Sequence, residues 1–309
     1  MIISLSTHLF AFRDMDDAIL SLYPKYGFRH AEIWAMPPHF PNTDKEADRI
    51  AENMARHGIT IASLHGPIYP DVRTYKKDKW YSLGTTDDKH RAVSVEANRN
   101  AALWLGRNGG GTVVLHTGFH SENWYPERWY SFLSSLDELV NSTPDNIRFA
   151  VENTPVDSGR SDIIHDIVAR FPENRVGICI DVGHANIVET VQSAIRTAGN
   201  RLIHIHASDN HGDKDDHLVP GAGNIQWKTV MEELRTVDFR GAFTLEPRDQ
   251  TQGDNPTYKD FEHILADAHT AVAQIINKQD DNPPAHKDFV HIFADACTAL
   301  ARILRKSAA

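Results

Sequence analysis

Short apolar runs alternate with longer amphipathic stretches along most of the chain. Several runs, such as Thr112-Val113-Val114-Leu115, are apolar at every position instead of alternating with polar residues. Continuous apolar runs of this length are typical of parallel strands that helices cover on both faces of the sheet. The pattern predicts eight strands, over Ile2–Ser6, His30–Trp34, Ile59–Leu64, Thr112–His116, Ile147–Glu152, Val176–Asp181, Leu202–Ala207 and Ala242–Glu246.

The stretches between these runs have helical signals. Asp14–Tyr26 opens with acidic residues and ends before Gly27, and Thr43–His57 combines a threonine cap with Glu46 three residues later. Both are common at helix termini. The remaining helical stretches are Asp87–Gly106, Pro126–Val140, Ser161–Phe171, Ile187–Ala198 and Gln226–Val237.

Eight strands separated by helices, without a long polar linker, predict an α/β fold with a single (β/α)8 barrel. A doubly wound open sheet is the alternative. It would normally place a glycine-rich phosphate loop after an early strand, and Ile2–Thr7 is followed by no such loop. We therefore favour the barrel.

The C-terminal region contains a tandem repeat. Lys259–Lys278 and Lys287–Lys306 agree at 13 of 20 positions, and both have helical apolar spacing. We expect a barrel over residues 1–278 and a duplicated extra helix over residues 279–309. The duplicate is either a neutral copy packed on the barrel or an oligomer contact. We favour the neutral copy, because helical packing alone explains the spacing.

Composition narrows the class of protein. The 309 residues carry a net charge of −10, which weighs against broad nucleic-acid affinity. No apolar run approaches the roughly 20 residues of a membrane helix, no secretory signal pattern is visible, and two cysteines allow one disulfide at most. We expect a cytoplasmic protein that does not contact membranes. The 18 histidines outnumber methionine and tyrosine combined, which indicates metal or proton chemistry.

Polar residues follow six successive predicted strands. In a barrel, the C-terminal ends of all strands open at the same mouth. Clustered carboxylates repel one another unless a cation or proton lies between them, and mixed imidazole and carboxylate ligands suit Zn²⁺, Mn²⁺ or Fe²⁺. We therefore expect a metal site at the mouth, formed from His65, His116, Glu152, Asp181, His206 and Glu246.

Three further residues offer a separate metal site. Asp215 and His217 are two positions apart, so both side chains would face the same way in an extended segment. His184 lies three residues beyond Asp181 and would complete a His/Asp/His set.

The sequence resembles the xylose isomerase-like TIM-barrel superfamily. This superfamily includes a sugar phosphate isomerase/epimerase group and an endonuclease IV group, also called AP endonuclease family 2. The matching motifs are His65-Gly66-Pro67, His116-Thr117-Gly118, Val151-Glu152-Asn153, the segments Gly177–His184 and His206–Trp227, and Leu245-Glu246-Pro247.

The resemblance to the isomerase/epimerase group implies one divalent metal, Zn²⁺ or Mn²⁺, on Glu152, Asp181, His206 and Glu246. Glu152 and Glu246 would also act as the acid/base pair on a sugar or sugar phosphate, through a metal-stabilised enediolate. Candidate substrate-binding residues are Trp34, Tyr69 and Trp124, which could stack on sugar faces, and Arg248, which could hold a phosphate or carboxylate.

The resemblance to endonuclease IV implies instead a phosphoesterase with three zinc ions. His65 and His116 would join Glu152 on one ion. Asp181, His206 and Glu246 would join Glu152 on the second, and His184, Asp215 and His217 would hold the third. All nine ligand positions are filled. DNA would be a partner only under this alternative.

We favour the isomerase/epimerase with a small carbohydrate substrate for two reasons. The chain has an acidic charge balance, and the amino-acid sequence of the segment after strand seven is more similar to the isomerase/epimerase group. A homo-oligomer is possible under either reading. A non-enzymatic sugar-binding barrel is disfavoured by the convergent carboxylates.

Overall fold

Eight parallel strands close into a barrel. The computed structural model describes residues 1–40, 44–71, 80–118, 125–248 and 258–277. Neighbouring strands pair in chain order, and the eighth strand pairs with the first. The predicted (β/α)8 barrel is therefore confirmed. The strands are β1 (Ile2–Ser6), β2 (His30–Trp34), β3 (Thr60–His65), β4 (Gly111–Leu115), β5 (Ile147–Glu152), β6 (Val176–Asp181), β7 (Leu202–Ala207) and β8 (Ala242–Leu245).

Helices surround the barrel at the positions that the sequence predicts, with one difference. The predicted helix Ile187–Ala198 is wrong at its start, because a first helix already begins at Val182, where the Asp181 side chain caps it by accepting from His184 N at 2.7 Å, and ends at Val188. A second helix begins at Val191, where the Thr190 hydroxyl accepts from Ser193 N at 3.2 Å. The helices are α1 (Asp17–Lys25), α2 (Asp44–Arg56), α3 (Asp88–Arg107), α4 (Pro126–Ser142), α5 (Ser161–Val168), α6 (Val182–Val188), α7 (Val191–Ala198), α8 (Trp227–Thr236) and α9 (Tyr258–Asn277).

The main apolar core lies between the strands and the helices. It includes fully buried residues of successive strands, such as Val113, Phe149 and Ile178. A second, small cluster contains Val114 and Cys179. Because adjacent residues of a strand point to opposite faces, this second cluster lies inside the barrel.

The last described helix closes the structure. Helix α9 covers almost all of the first repeat copy and buries Phe261, Leu265 and Ala268. The predicted extra helix over residues 279–309, which includes the second copy Lys287–Lys306, lies outside the described residues. Within the part of the chain that the structure describes, no helix combines the length and apolarity that crossing a membrane requires.

Candidate metal centre

Four of the predicted ligands meet at the mouth of the barrel. Glu152 and Asp181 end β5 and β6, His206 lies near the end of β7, and Glu246 follows β8. All four are buried, and one donor atom of each lies within 4.8 Å of the others. His206 Nδ1 is 2.9 Å from Glu152 Oε1 and 3.4 Å from Glu246 Oε2. The topology thus gathers three carboxylates around one imidazole.

His65 and His116 lie on the other side of Glu152. His116 Nε2 is 2.9 Å from Glu152 Oε2, and His65 Nε2 is 3.5 Å from the same oxygen. The two rings meet edge to face, with centroids 4.9 Å apart. Glu152 therefore faces His206 with one oxygen and these two histidines with the other.

The predicted His/Asp/His set also assembles. Asp215 Oδ2 is 3.3 Å from His184 Nε2 and 3.2 Å from His217 Nε2. The Nδ1 atoms of His184 and His217 lie 2.9 Å from the carbonyl oxygens of Asn153 and Glu246, respectively. A carbonyl can only accept, so Nδ1 donates in both histidines, and Nε2 is the atom available to a cation.

The backbone at this set differs from the expected extended segment. His217 has a φ of 49°, in the left-handed region. Asp209 N and Leu218 N each donate to the other residue's carbonyl at 2.8 Å, which ties the end of the loop back to its beginning. The convergence of Asp215 and His217 therefore depends on a turn and not on strand alternation.

The electrostatics of the four-residue cluster favour a cation. Burial raises the pKa of Asp181 to about 6, and Glu152 adds to the increase. Burial opposes protonation of His206, yet Cys179, Glu246 and Glu152 hold its pKa well above the usual value. Both pKa shifts favour the form with the added positive charge, so the buried carboxylates of this cluster favour a cation or a proton among them.

The Oδ2 atom of Asp181 also favours a positive group nearby. It is buried and accepts no hydrogen bond from any described residue. A buried carboxylate oxygen without a donor is costly unless a positive group faces it. Three carboxylates and one imidazole match the ligand preference of Zn²⁺ or Mn²⁺, so the residues present fit a divalent cation.

The candidate substrate-binding residues occupy different places. Trp34 is buried, and its Nε1 donates to Glu246 Oε1 at 3.2 Å. Tyr69 is partly buried and packs against the cluster that contains Trp34. Arg248 is exposed, and its backbone N donates to His217 O at 2.9 Å. Trp124 lies outside the described residues.

The structure adds three polar residues that the sequence patterns did not single out. His8, just after β1, stacks on Trp34 with centroids 4.0 Å apart, and its Nδ1 lies 3.6 Å from Glu246 Oε1. Glu32 and His204 lie deeper, inside β2 and β7, and are fully buried. A charged residue within a predicted buried strand was the available signal for Glu32.

Comparison with known proteins identifies the family. The family model described as "Xylose isomerase-like TIM barrel" matches residues 20–266, so the chain belongs to this family. The fructoselysine 3-epimerase of Escherichia coli O157:H7 is 24% identical over 246 residues, which cover 76% of this chain and 84% of that protein.

Two solved structures share the fold. A D-tagatose 3-epimerase-like protein superimposes with a TM-score of 0.70 at 23% identity, covering 90% of this chain and 98% of the other. The IolI protein with a bound zinc atom superimposes with a TM-score of 0.71 at 17% identity, covering 91% and 100%. Two further curated relatives, at 30% and 27% identity, are matched over only 58% and 61% of their length.

Proposed function

We propose that this protein is a divalent-metal-dependent epimerase or isomerase of a sugar or sugar phosphate. The observation that carries the proposal is the buried cluster of Glu152, Asp181, His206 and Glu246. Its members lie at the ends of four successive strands and include two glutamates, whose oxygens lie 2.9 and 3.4 Å from His206 Nδ1.

The two glutamates account for the chemistry. Glu152, Asp181, His206 and Glu246 would hold a divalent cation, which would supply a Lewis acid that acidifies the carbon-bound proton of the substrate. Under this proposal, one of Glu152 and Glu246 removes the proton of that carbon from one face and the other returns a proton to the opposite face. Asp181 and His206 complete the ligand set. Trp34 holds Glu246 through its indole N–H.

The comparisons support this choice. The fructoselysine 3-epimerase of Escherichia coli O157:H7 and the D-psicose 3-epimerase of Enterocloster bolteae are both named as sugar epimerases. The D-psicose enzyme is 37% identical over 83 residues, 26% of either chain. The zinc in the IolI structure supports a metal on the same fold.

Exchange of carbon-bound hydrogen tests the proposal. The protein loaded with Mn²⁺ is incubated in D₂O with a panel of ketoses, and deuterium incorporation is followed by NMR. We expect exchange that chelation abolishes and that Glu152→Gln and Glu246→Gln each reduce at least 100-fold. Glu138→Gln, on the exposed face of α4, is the matched control. Unchanged exchange in both glutamate variants would contradict the assignment.

One observation favours a second candidate function, a trinuclear zinc phosphoesterase. This observation is the set formed by His184, Asp215 and His217. Its three ligand atoms lie within 4.8 Å of one another, next to the four-residue cluster. Clustered cations activate water and neutralise charge on the phosphorus and leaving oxygen. Substrates would be abasic DNA or a smaller phosphoester.

Metal counting separates the two candidates. The epimerase predicts one ion per chain and full exchange activity in His217→Ala. The phosphoesterase predicts three zinc ions and cleavage of an abasic-site oligonucleotide that His217→Ala abolishes. Elemental analysis of the purified protein gives the number of ions. The exchange assay and the cleavage assay, each run on the wild type and on His217→Ala, then distinguish the two candidates.

A further inference from the structure

We propose that Glu32 is a positioning residue that directs Nδ1 of His206 towards the metal. The inference rests on the proposed function, because it assumes that His206 is a ligand. Glu32 lies in β2, across the barrel interior from β7, and no sequence motif that carries the family resemblance includes it.

The contacts of Glu32 are all inside the barrel. Its Oε1 lies 2.9 Å from His206 Nε2. Its Oε2 accepts a hydrogen bond from Ser63 Oγ at 2.7 Å and lies 2.9 Å from His204 Nε2. Glu32, Ser63 and both histidines are fully buried. Glu32 is therefore held on one side and presents its other oxygen to His206.

Both ring nitrogens of His206 face carboxylates. Its Nδ1 faces Glu152 and Glu246 at the mouth, and its Nε2 faces Glu32. His206 Nε2 and Glu32 Oε1 lie 2.9 Å apart, and neither has a hydrogen bond within the described residues. The carboxylate of Glu32 is thus the charged group that faces Nε2.

This placement selects the ligand atom. A neutral imidazole carries one ring proton, and an adjacent carboxylate stabilises that proton on the nitrogen that faces it. With the proton on Nε2, the lone pair of Nδ1 points to the mouth. Without the charge of Glu32, the proton can lie on Nδ1, where it donates to Glu152 and competes with a cation. Metal-ligating histidines commonly have such a carboxylate partner.

Glu32 could also be a ligand of an ion inside the barrel, but the surrounding contacts favour the four-residue cluster at the mouth as the ion site. Donor atoms of Glu32, His204 and His206 lie within 4.8 Å of one another. However, Ser63 already donates to Glu32, and Thr244 Oγ1 lies at hydrogen-bonding distance, 3.1 Å, from His204 Nε2. An ion there would also compete for the proton that keeps His206 Nδ1 available.

Cobalt binding tests the inference without any substrate. Full-length wild-type protein and Glu32→Gln are titrated with Co²⁺, and calorimetry gives affinity and stoichiometry while the visible absorption spectrum reports ligand geometry. We expect Glu32→Gln to bind Co²⁺ about 10- to 100-fold more weakly, with an altered spectrum and unchanged stoichiometry. Glu138→Gln should match the wild type.

A second variant covers the case in which Glu32→Gln does not fold. Ser63→Ala removes the hydrogen bond that holds Glu32 and keeps its charge, so we expect a smaller loss of affinity in the same direction. Wild-type affinity and spectrum in whichever variant folds would overturn the inference. Loss of one of two bound ions in Glu32→Gln would also overturn it, because Glu32 would then be a ligand. Absence of Co²⁺ binding by the wild type would instead refute the proposed function.

Discussion

Histidines at the mouth of the barrel have opposite charge preferences although they are close together. Burial lowers the pKa of His8 to about 4. Burial also opposes protonation of His217, but Asp215 raises the pKa of that histidine to about 9. The two ring centroids are only 4.7 Å apart. Asp215 Oδ2 lies 3.2 Å from His217 Nε2, whereas Glu246 Oε1 lies 3.6 Å from His8 Nδ1 and does not offset the burial of that ring. The pKa shifts therefore favour a neutral His8 and a protonated His217 at neutral pH in the metal-free protein.

The pH dependence of unfolding should reveal the neutral state of His8. Below pH 6.5 the unfolded chain binds a proton that folded His8 binds only near pH 4. The free energy of unfolding should therefore fall as the pH decreases from 6.5 to 4, by up to about 3 kcal/mol from this residue. His8→Asn should show a correspondingly weaker decline. Urea unfolding with a chelator present, at several pH values, measures both.

The control for this prediction is another histidine in the described chain. His263 has a highly exposed side chain on α9, so His263→Asn should keep the wild-type pH dependence. Parallel stability curves for the wild type and His8→Asn would show that His8 is not the group responsible.

At the scale of elements, the connection between β7 and α8 brings Asp215 and His217 to the mouth. Asp209 holds this loop together. Its Oδ1 accepts from the backbone N–H groups of Asn210 and Ile225, at 2.9 and 3.2 Å. Its Oδ2 accepts from Gly221 N at 2.7 Å and Trp227 Nε1 at 2.8 Å. One buried carboxylate thus joins both ends of the loop.

Replacing this carboxylate by an amide should weaken the loop. In Asp209→Asn, either orientation of the amide places an NH₂ group against two donors, so we expect a loss of about 2–3 kcal/mol in the free energy of unfolding. Asp213→Asn, at an exposed position of the same loop, should change it by less than about 0.5 kcal/mol. Urea denaturation measures both, and equal stabilities would contradict the role of Asp209.

At the scale of the whole molecule, every barrel strand and the helix that follows β8 lie before residue 278. We propose that residues 1–278 form the domain and that residues 279–309 are a neutral duplicate. A chain ending at residue 278 should then keep the wild-type melting temperature, Co²⁺ affinity and sedimentation behaviour. A change in oligomeric state on truncation would support the alternative, an oligomer contact through the duplicate.

Most of the barrel could be predicted from the sequence, because its strands are short, continuously apolar and separated by helices with recognisable ends. Six polar residues could be placed at the mouth for the same reason, since parallel strands of a barrel open on one side. The prediction was less successful at Ile187–Ala198. There α6 begins five residues before the predicted start, because the Asp181 side chain caps it directly after β6, and α7 begins anew at the Thr190 cap.

The sequence by itself thus determined the fold and which strands carry the candidate metal ligands, since both follow from local periodicity. Only the tertiary structure decided the contacts across the barrel. Glu32 and His206 meet because β2 and β7 face each other through the interior, and His8 meets Glu246 because β8 pairs with β1. Such contacts depend on ring closure and strand register, which no local pattern records.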